Sequence, residues 1–231
     1  MGTVALARCG ARPFGTHLFP LWPGASFAAS ALPVQCTPGD NLALHVAVAQ
    51  APRDCALVVD VAGESEYGYV DGVLAAAARA RGVRGIVLEG CVRDIGAVAR
   101  HRLPVFGTGV SVREARHEAG GSVGRQISMA GSGPVPLAVR RGDWIVADDD
   151  GVVCLPRGQV GTIISETVSS VSREQEIIDA VCAGESTLDL LGLDPSRVAG
   201  WEGSAEQRAG HGRPRSLGGS RRDTPARTAE G

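Results

Sequence analysis

The residues of this 231-residue chain best suited to chemistry are an adjacent arginine and aspartate. They close the segment Gly85-Ile-Val-Leu-Glu-Gly90-Cys-Val-Arg93-Asp94. An apolar run delivers the chain into a glycine turn, and the turn presents both side chains. Ligands of open α/β sheets bind beyond the carboxyl ends of strands, which is where such a turn lies. Arg93 offers a rigid cationic fork for a carboxylate or a developing oxyanion. Asp94 offers a hard oxygen donor for Mg²⁺ or Mn²⁺. A second cluster, Tyr69-Val70-Asp71-Gly72-Val73-Leu74, opens an alanine-rich stretch. Backbone N–H groups at a helix start bind anions, carboxylates included. On residue chemistry alone the plainer readings prevail: Asp94 pairs with its neighbour at a helix start, and Asp71 is an N-cap.

Other chemistries find little support. All 23 basic residues are arginine, and the chain contains no lysine. That excludes a Schiff-base lysine, hence imine-forming aldolases and pyridoxal-phosphate enzymes, and it excludes the Walker A motif. No two histidines stand at zinc-protease spacing; His45 reads as a hydrogen-bonded, partly buried residue and His101 as a surface one. Asp148-Asp149-Asp150 before Gly151 is explained by turn chemistry. Ser128–Gly133 lacks the G-x-S-x-G pattern and an evident base. The six cysteines, Cys9, Cys36, Cys55, Cys91, Cys154 and Cys182, form no C-x-x-C pair and read as small buried hydrophobes in a reducing compartment.

The elements that must position Arg93 and Asp94 follow from apolar patterning. Cys55–Ala62 and Gly85–Leu88 read as strands buried on both faces, and Pro104–Gly107 as a third. Helices are expected at about 41–50, over Val73–Arg81 with Gly82 ending it, and over Asp94–Arg102. Strand and helix alternate, which argues for βαβ units and a partly parallel sheet. Residues 107–124 read as a long loop. Arg125–Ala130, Val135–Val139, Trp144–Ala147 and Val152–Leu155 read as short strands, the last two joined as a hairpin at Asp149-Asp150-Gly151. Thr162–Ala183 reads as a long helix with Gly184 beyond it. Residues 1–17 show no clear period, and residues 18–41 read as Pro- and Gly-rich turn chemistry.

Length suits one ordinary domain with tails, and 44% apolar residues supply a core built from aliphatic side chains, since aromatics are only 4%. A net charge of −2 advertises neither nucleic acid nor an anionic membrane. No apolar run nears the ~20 residues of a membrane span. Leu18–Leu32 reads badly as a signal peptide, so a cytoplasmic location is expected. Residues 200–231 hold seven Gly and six Arg, with Trp201 and Leu217 as their large apolar residues, and are expected to be disordered.

From about Leu18 to Leu193 the chain resembles the RraA-like family. The carrying stretches are PGDNLALHVAVAQAP (38–52), ALVVDVAG (56–63), GVLAAAARARGVRGIVLEGCVRD (72–94), LPVFGTGV (103–110) and RRGDWIVADDDGVVCLPRG (140–158). That family contains regulators of ribonuclease activity and metal-dependent 4-hydroxy-4-methyl-2-oxoglutarate / 4-carboxy-4-hydroxy-2-oxoadipate aldolases. The resemblance implies an α/β fold of the swivelling βαβ type, a mixed sheet flanked by helices, over residues 18–199. It implies that Asp94 binds Mg²⁺ or Mn²⁺ through itself and several waters. Arg93 would contact the substrate and stabilise an enolate. The turn Asp71, Gly72, Val73 and Leu74 would hold the substrate carboxylate on backbone amides.

The implied activity is a pyruvate-forming lyase acting on 2-keto acids, with oxaloacetate decarboxylation through the same enolate. A homotrimer or dimer of trimers is implied, in which Glu174 or Glu176 of a C-terminal helix serves a neighbouring subunit's site. One position departs from the family: the acidic residue expected twenty-one positions before the arginine is Gly72, and Asp71, one residue earlier, is expected to point elsewhere, so that a water-mediated metal contact is either missing or supplied by Asp71 after a small backbone shift. That departure, with a helix before Leu18 that looks short, keeps open a non-catalytic regulator acting on a protein partner such as a ribonuclease.

Overall fold

In the computed structural model, which describes residues 1–200, the chain opens with helix α1 (Thr3–Arg8) and two short strands, β1 (Arg12–Pro13) and β2 (Phe19–Pro20). Strand β3 (Phe27–Cys36) follows, then helix α2 (Leu42–Gln50), β4 (Cys55–Asp60) and β5 (Gly68–Val70). Helix α3 (Gly72–Arg81) is capped by Asp71 and ends at Gly82, whose φ of +91° is the left-handed conformation that closes helices at glycine. Next come β6 (Gly85–Leu88), β7 (Cys91–Val92), α4 (Ile95–Arg100), β8 (Val105–Gly107), β9 (Gly109–Val110) and β10 (Gly121–Val123). Strands β11 (Ile127–Met129), β12 (Leu137–Val139), β13 (Trp144–Asp148) and β14 (Gly151–Leu155) precede the 23-residue helix α5 (Val160–Cys182) and the short α6 (Thr187–Leu190).

The main sheet runs β1-β14-β13-β3-β4-β6-β8-β2, with β10 also on β3. Its centre, β3-β4-β6-β8, is parallel, and the flanking strands are antiparallel. A parallel trio β5-β7-β9 and an antiparallel pair β11-β12 complete the strands. The pleat explains the unbroken apolar runs. Leu57, Val59, Ile86 and Leu88 face α2 and α3, while Val58 and Val87 face β11 and β12. Both faces are covered, so no polar alternation survives.

Two compact units divide the chain. The first, Met1–Val171, contains all three sheets; the second begins at Ser172 with the rest of α5 and then α6. Among the described residues no helix is long and apolar enough to cross a membrane.

The three parallel strands, the helices and the β13-β14 hairpin lie where patterning places them, within two residues at most ends. The largest difference is β3. A ten-residue strand at the heart of the sheet occupies a stretch that reads as turn chemistry, because Pro33 interrupts it. Pro33 stands where the outer neighbour changes from β13, paired with Phe27–Ser30, to β10, paired with Val34–Cys36. A strand tolerates proline at such an irregularity. Residues 1–17, without a clear period, contribute α1 and an edge strand, and the expected loop at 107–124 contains β9 and β10. The cysteines are all free, but only Cys36, Cys55 and Cys154 are buried; Cys182 is exposed. The expected tail lies outside the described residues.

Leu57 is fully buried between the sheet and its helices. Leu57→Ala is expected to lower the unfolding free energy by about 2–5 kcal/mol in a guanidinium titration. A loss below about 1 kcal/mol would contradict this packing.

Candidate active site

Backbone register brings the site together. Strands β5 and β7 are parallel neighbours with Val70 opposite Val92. The next residues, Asp71 and Arg93, therefore leave adjacent strands side by side at their carboxyl ends. The Arg93 N–H donates to the Val70 carbonyl at 2.8 Å and holds the two exits together. Gly90 permits this crossing: a Cβ there would press on the Tyr69 ring at 3.2 Å.

Arg93 is the hub. Its Nη2 donates to Asp71 Oδ2 at 2.9 Å and to Glu114 Oε1 at 2.9 Å. The other oxygen of Asp71 accepts the Leu74 N–H at 2.8 Å, so one carboxylate caps α3 and grips the arginine together. Partial burial pushes the Asp71 carboxyl up, but the Leu74 N–H and the Arg93 guanidinium outweigh it and hold the group below its ordinary range. The same bond to Asp71 raises Arg93 further, so the guanidinium stays charged.

The expected Arg93–Asp94 pair does not form. Asp94 is the N-cap of α4, with φ +54° and no side-chain capping bond. Its carboxylate is exposed and makes no hydrogen bond or ion pair with a described residue. A lone hard oxygen ligand of this kind fits Mg²⁺ or Mn²⁺, which keep several waters. Among the described residues no three His, Cys, Asp or Glu side chains converge as a ready-made metal centre. A cation at Asp94 would thus draw its remaining ligands from water, substrate or another subunit.

The helix-start turn differs from expectation in two ways. Asp71 points into the site rather than elsewhere. The Leu74 amide, expected to be offered to a ligand, is already bonded to Asp71. Val73 is exposed and Leu74 buried. Gly72 is a packing contact: a Cβ there would lie 2.6 Å from the Ala97 Cβ on α4, so no larger side chain fits without moving that helix.

Glu114 escaped the sequence reading. Nothing in Ser111–Glu118 distinguishes it from Glu118; only the bridge between Gly68 and Glu114 sets it against Arg93. Asp40 is the anchor of that segment. Buried, it accepts the N–H groups of Glu118 at 2.7 Å, Ala119 at 2.9 Å and Leu42 at 2.9 Å. Burial pushes its carboxyl up, but these three donors and Arg116 bring it below the ordinary range. Asn41 links the same segment to β5: its Oδ1 meets His117 Nδ1 at 2.7 Å, and its Nδ2 donates to the Tyr69 carbonyl at 2.8 Å. His45, expected to be hydrogen-bonded and partly buried, lies on the exposed side of α2, edge-to-face with His117 at 5.4 Å. Partial burial of its ring and repulsion from His117 lower its pKa, while Asp71 opposes them. Glu174 and Glu176 both lie on α5, Glu174 half-buried and Glu176 exposed.

Two substitutions test this geometry. Asp71→Asn keeps an oxygen to cap the Leu74 N–H but removes the ion pair with Arg93, and is expected to cost roughly 1 kcal/mol at pH 7. Because the folded carboxyl titrates below its unfolded value, its contribution is present above the ordinary carboxylate range and fades as pH falls through the folded pKa. The gap between wild type and variant should therefore narrow in urea titrations as pH is lowered below the ordinary carboxylate range; a gap that does not change with pH would contradict the pairing. Gly72→Asp, which supplies the acidic side chain at its family position, is expected to destabilise by about 1–3 kcal/mol through the clash with Ala97.

Comparison with known proteins agrees with this architecture. The chain is 30% identical over 167 residues to a provisionally named 4-hydroxy-4-methyl-2-oxoglutarate aldolase of Halalkalibacterium halodurans, covering 71% of this chain and 77% of that protein. An uncharacterized protein from Pseudomonas syringae pv. tomato superposes with a TM-score of 0.72 at 22% identity, over 80% of this chain and 86% of that one. The RNA-processing inhibitor RraA from Thermus thermophilis superposes with a TM-score of 0.59 at 21% identity, over 66% and 90%. These two likenesses show a shared fold. The RraA-like family, described as Aldolase/RraA, matches residues 5–154, and the chain belongs to it.

Proposed function

We propose that this protein is a divalent-metal-dependent, pyruvate-forming lyase acting on 4-hydroxy-4-methyl-2-oxoglutarate-type 2-keto acids. Oxaloacetate decarboxylation is its expected side activity. The observation that carries the reading is the division of labour at the end of β7. Arg93 is held rigid by Asp71 and Glu114, while the adjacent Asp94 carboxylate has no partner among the described residues. Two carboxylates, Asp71 and Glu114, already pair with the one guanidinium, and Asp94, next in sequence, adds a negative charge that no described residue pairs with, which favours a cation.

Mg²⁺ or Mn²⁺ held by Asp94 would supply Lewis-acid polarisation of the 2-keto oxygen. The Arg93 fork then faces the substrate's carboxylate or the oxygen that gains charge as the C3–C4 bond breaks. In that cleavage the 4-hydroxyl loses its proton and becomes a carbonyl, and pyruvate enolate takes a proton at C3. The substrate carboxylate competes with Asp71 for the Leu74 amide, so Asp71 must yield or share it. Without lysine the chain has no imine route to the same enolate. The exposed apolar side chains of α5, among them Ile164, Val168, Val171 and Ile178, support a homo-oligomeric state such as a trimer. Free cysteines suit a cytoplasmic setting.

Pyruvate release coupled to lactate dehydrogenase tests the reading, with oxaloacetate and 4-hydroxy-4-methyl-2-oxoglutarate as substrates. Turnover is expected with Mg²⁺, is expected to vanish in EDTA, and is expected to fall at least about 100-fold in Asp94→Ala and Arg93→Ala. Turnover that survives EDTA, or a folded protein that releases pyruvate from neither substrate, would overturn it.

A further inference from the structure

We propose that the cleft at the amino ends of the parallel strands is a second binding site, one that takes a nucleoside phosphate or an equivalent planar aromatic phosphate. It lies at the opposite end of the sheet strands from Arg93 and Asp94. Asp54 immediately precedes β4, Arg84 immediately precedes β6, and Arg102 shortly precedes β8. Arg79 reaches it from the last turn of α3, Trp144 opens β13, and Trp22 closes the remaining side. The cleft encloses about 490 Å³, within the range of small-molecule sites.

Three guanidiniums face one carboxylate in a chain whose net charge is −2. Arg84 Nε pairs with Asp54 Oδ1 at 2.7 Å, while the Arg79 and Arg102 guanidiniums have no ion pair or hydrogen bond with a described residue. Two unspent planar cations are suited to bidentate capture of phosphate. The walls supply the planar half of the ligand. Trp22 is fixed by its Nε1–H donating to the Leu103 carbonyl at 2.9 Å, and Trp144 is 41% exposed on a strand start. Indole rings held by a hydrogen bond or a strand stack on nucleobases with little loss of side-chain freedom.

Backbone conformation singles out the same place. Four described non-glycine residues have left-handed φ, and two of them, Asp54 at +62° and Arg102 at +51°, line this cleft. A left-handed arginine is unfavourable where glycine would serve, and such strain concentrates at ligand sites.

Isothermal titration of the full chain with adenosine 5′-monophosphate, adenosine and inorganic phosphate tests the assignment. The nucleotide is expected to bind saturably and about tenfold more tightly than either fragment. Trp144→Ala and Arg79→Ala are each expected to weaken it about fivefold or more. Arg102→Gly is the sharper variant: it relaxes the left-handed backbone, so its melting temperature should hold or rise while binding falls. Phosphate binding as tightly as the nucleotide would overturn the aromatic half, and nucleotide binding unchanged in all three variants would overturn the site. Binding of a short single-stranded oligonucleotide without binding of the free nucleotide would overturn the ligand class. None of these readouts depends on lyase activity.

Discussion

The Arg93 guanidinium ties three separate stretches of chain: β7, which carries it; the β5–α3 junction through Asp71; and the Ser111–Glu118 segment through Glu114. Charge-assisted bonds of this kind are stronger than neutral ones, and Arg93 and Asp71 are buried enough to escape much of the screening that weakens surface pairs. Because Asp71 gives one oxygen to the helix and the other to Arg93, the cap and the ion pair stand or fall together. Remove the arginine and the helix start loses its second anchor; remove the aspartate and the arginine loses its orientation. Asp94 is left out of this arrangement, and that exclusion keeps its carboxylate available.

The sheet makes such a hub affordable in conformational terms. Parallel strands β4, β6 and β8 are buried on both faces, so their exits are rigid platforms. A parallel register then fixes which residues emerge together, and Val70 opposite Val92 leaves Asp71 beside Arg93. The segment that brings Glu114 is not regular structure; it is held by buried Asp40 and by Asn41, whose bonds span from α2 to residues 117–119. Short polar side chains in a pre-helical turn thus take over a task that a strand performs elsewhere in the fold.

The two ends of the parallel strands carry opposite charge. Carboxylates outnumber the single guanidinium around Arg93, whereas guanidiniums outnumber the single carboxylate around Asp54. Both ends are built from residues at the junctions between strands and helices, where backbone conformation departs from the regular and side chains are free to serve a ligand. Three of the four described non-glycine residues with left-handed φ, Asp54, Asp94 and Arg102, stand at these junctions.

Much of this was legible in the residues themselves. Strands buried on both faces announce themselves as unbroken apolar runs, and Gly82 and Gly151 mark their turns, so the β4–α3–β6–α4–β8 core could be read from patterning alone. The absence of lysine, and the placing of Arg93-Asp94 after a glycine turn, are properties of the sequence. Pairing is not. Neighbouring Arg93 and Asp94 suggested an ion pair because sequence adjacency is visible, yet the backbone puts Asp94 in the left-handed region and no bond joins it to Arg93. The partners Arg93 does take, Asp71 and Glu114, are twenty-two and twenty-one residues distant, and only the parallel register of β5, β7 and the following segment brings them within hydrogen-bond reach. Strand β3 was hidden for a related reason: Pro33 breaks its local pattern, and its place at the sheet centre depends on a change of neighbour that no single segment encodes. Local periodicity and turn chemistry are written along the chain, whereas register and the partners of a charged side chain arise only when distant strands pack.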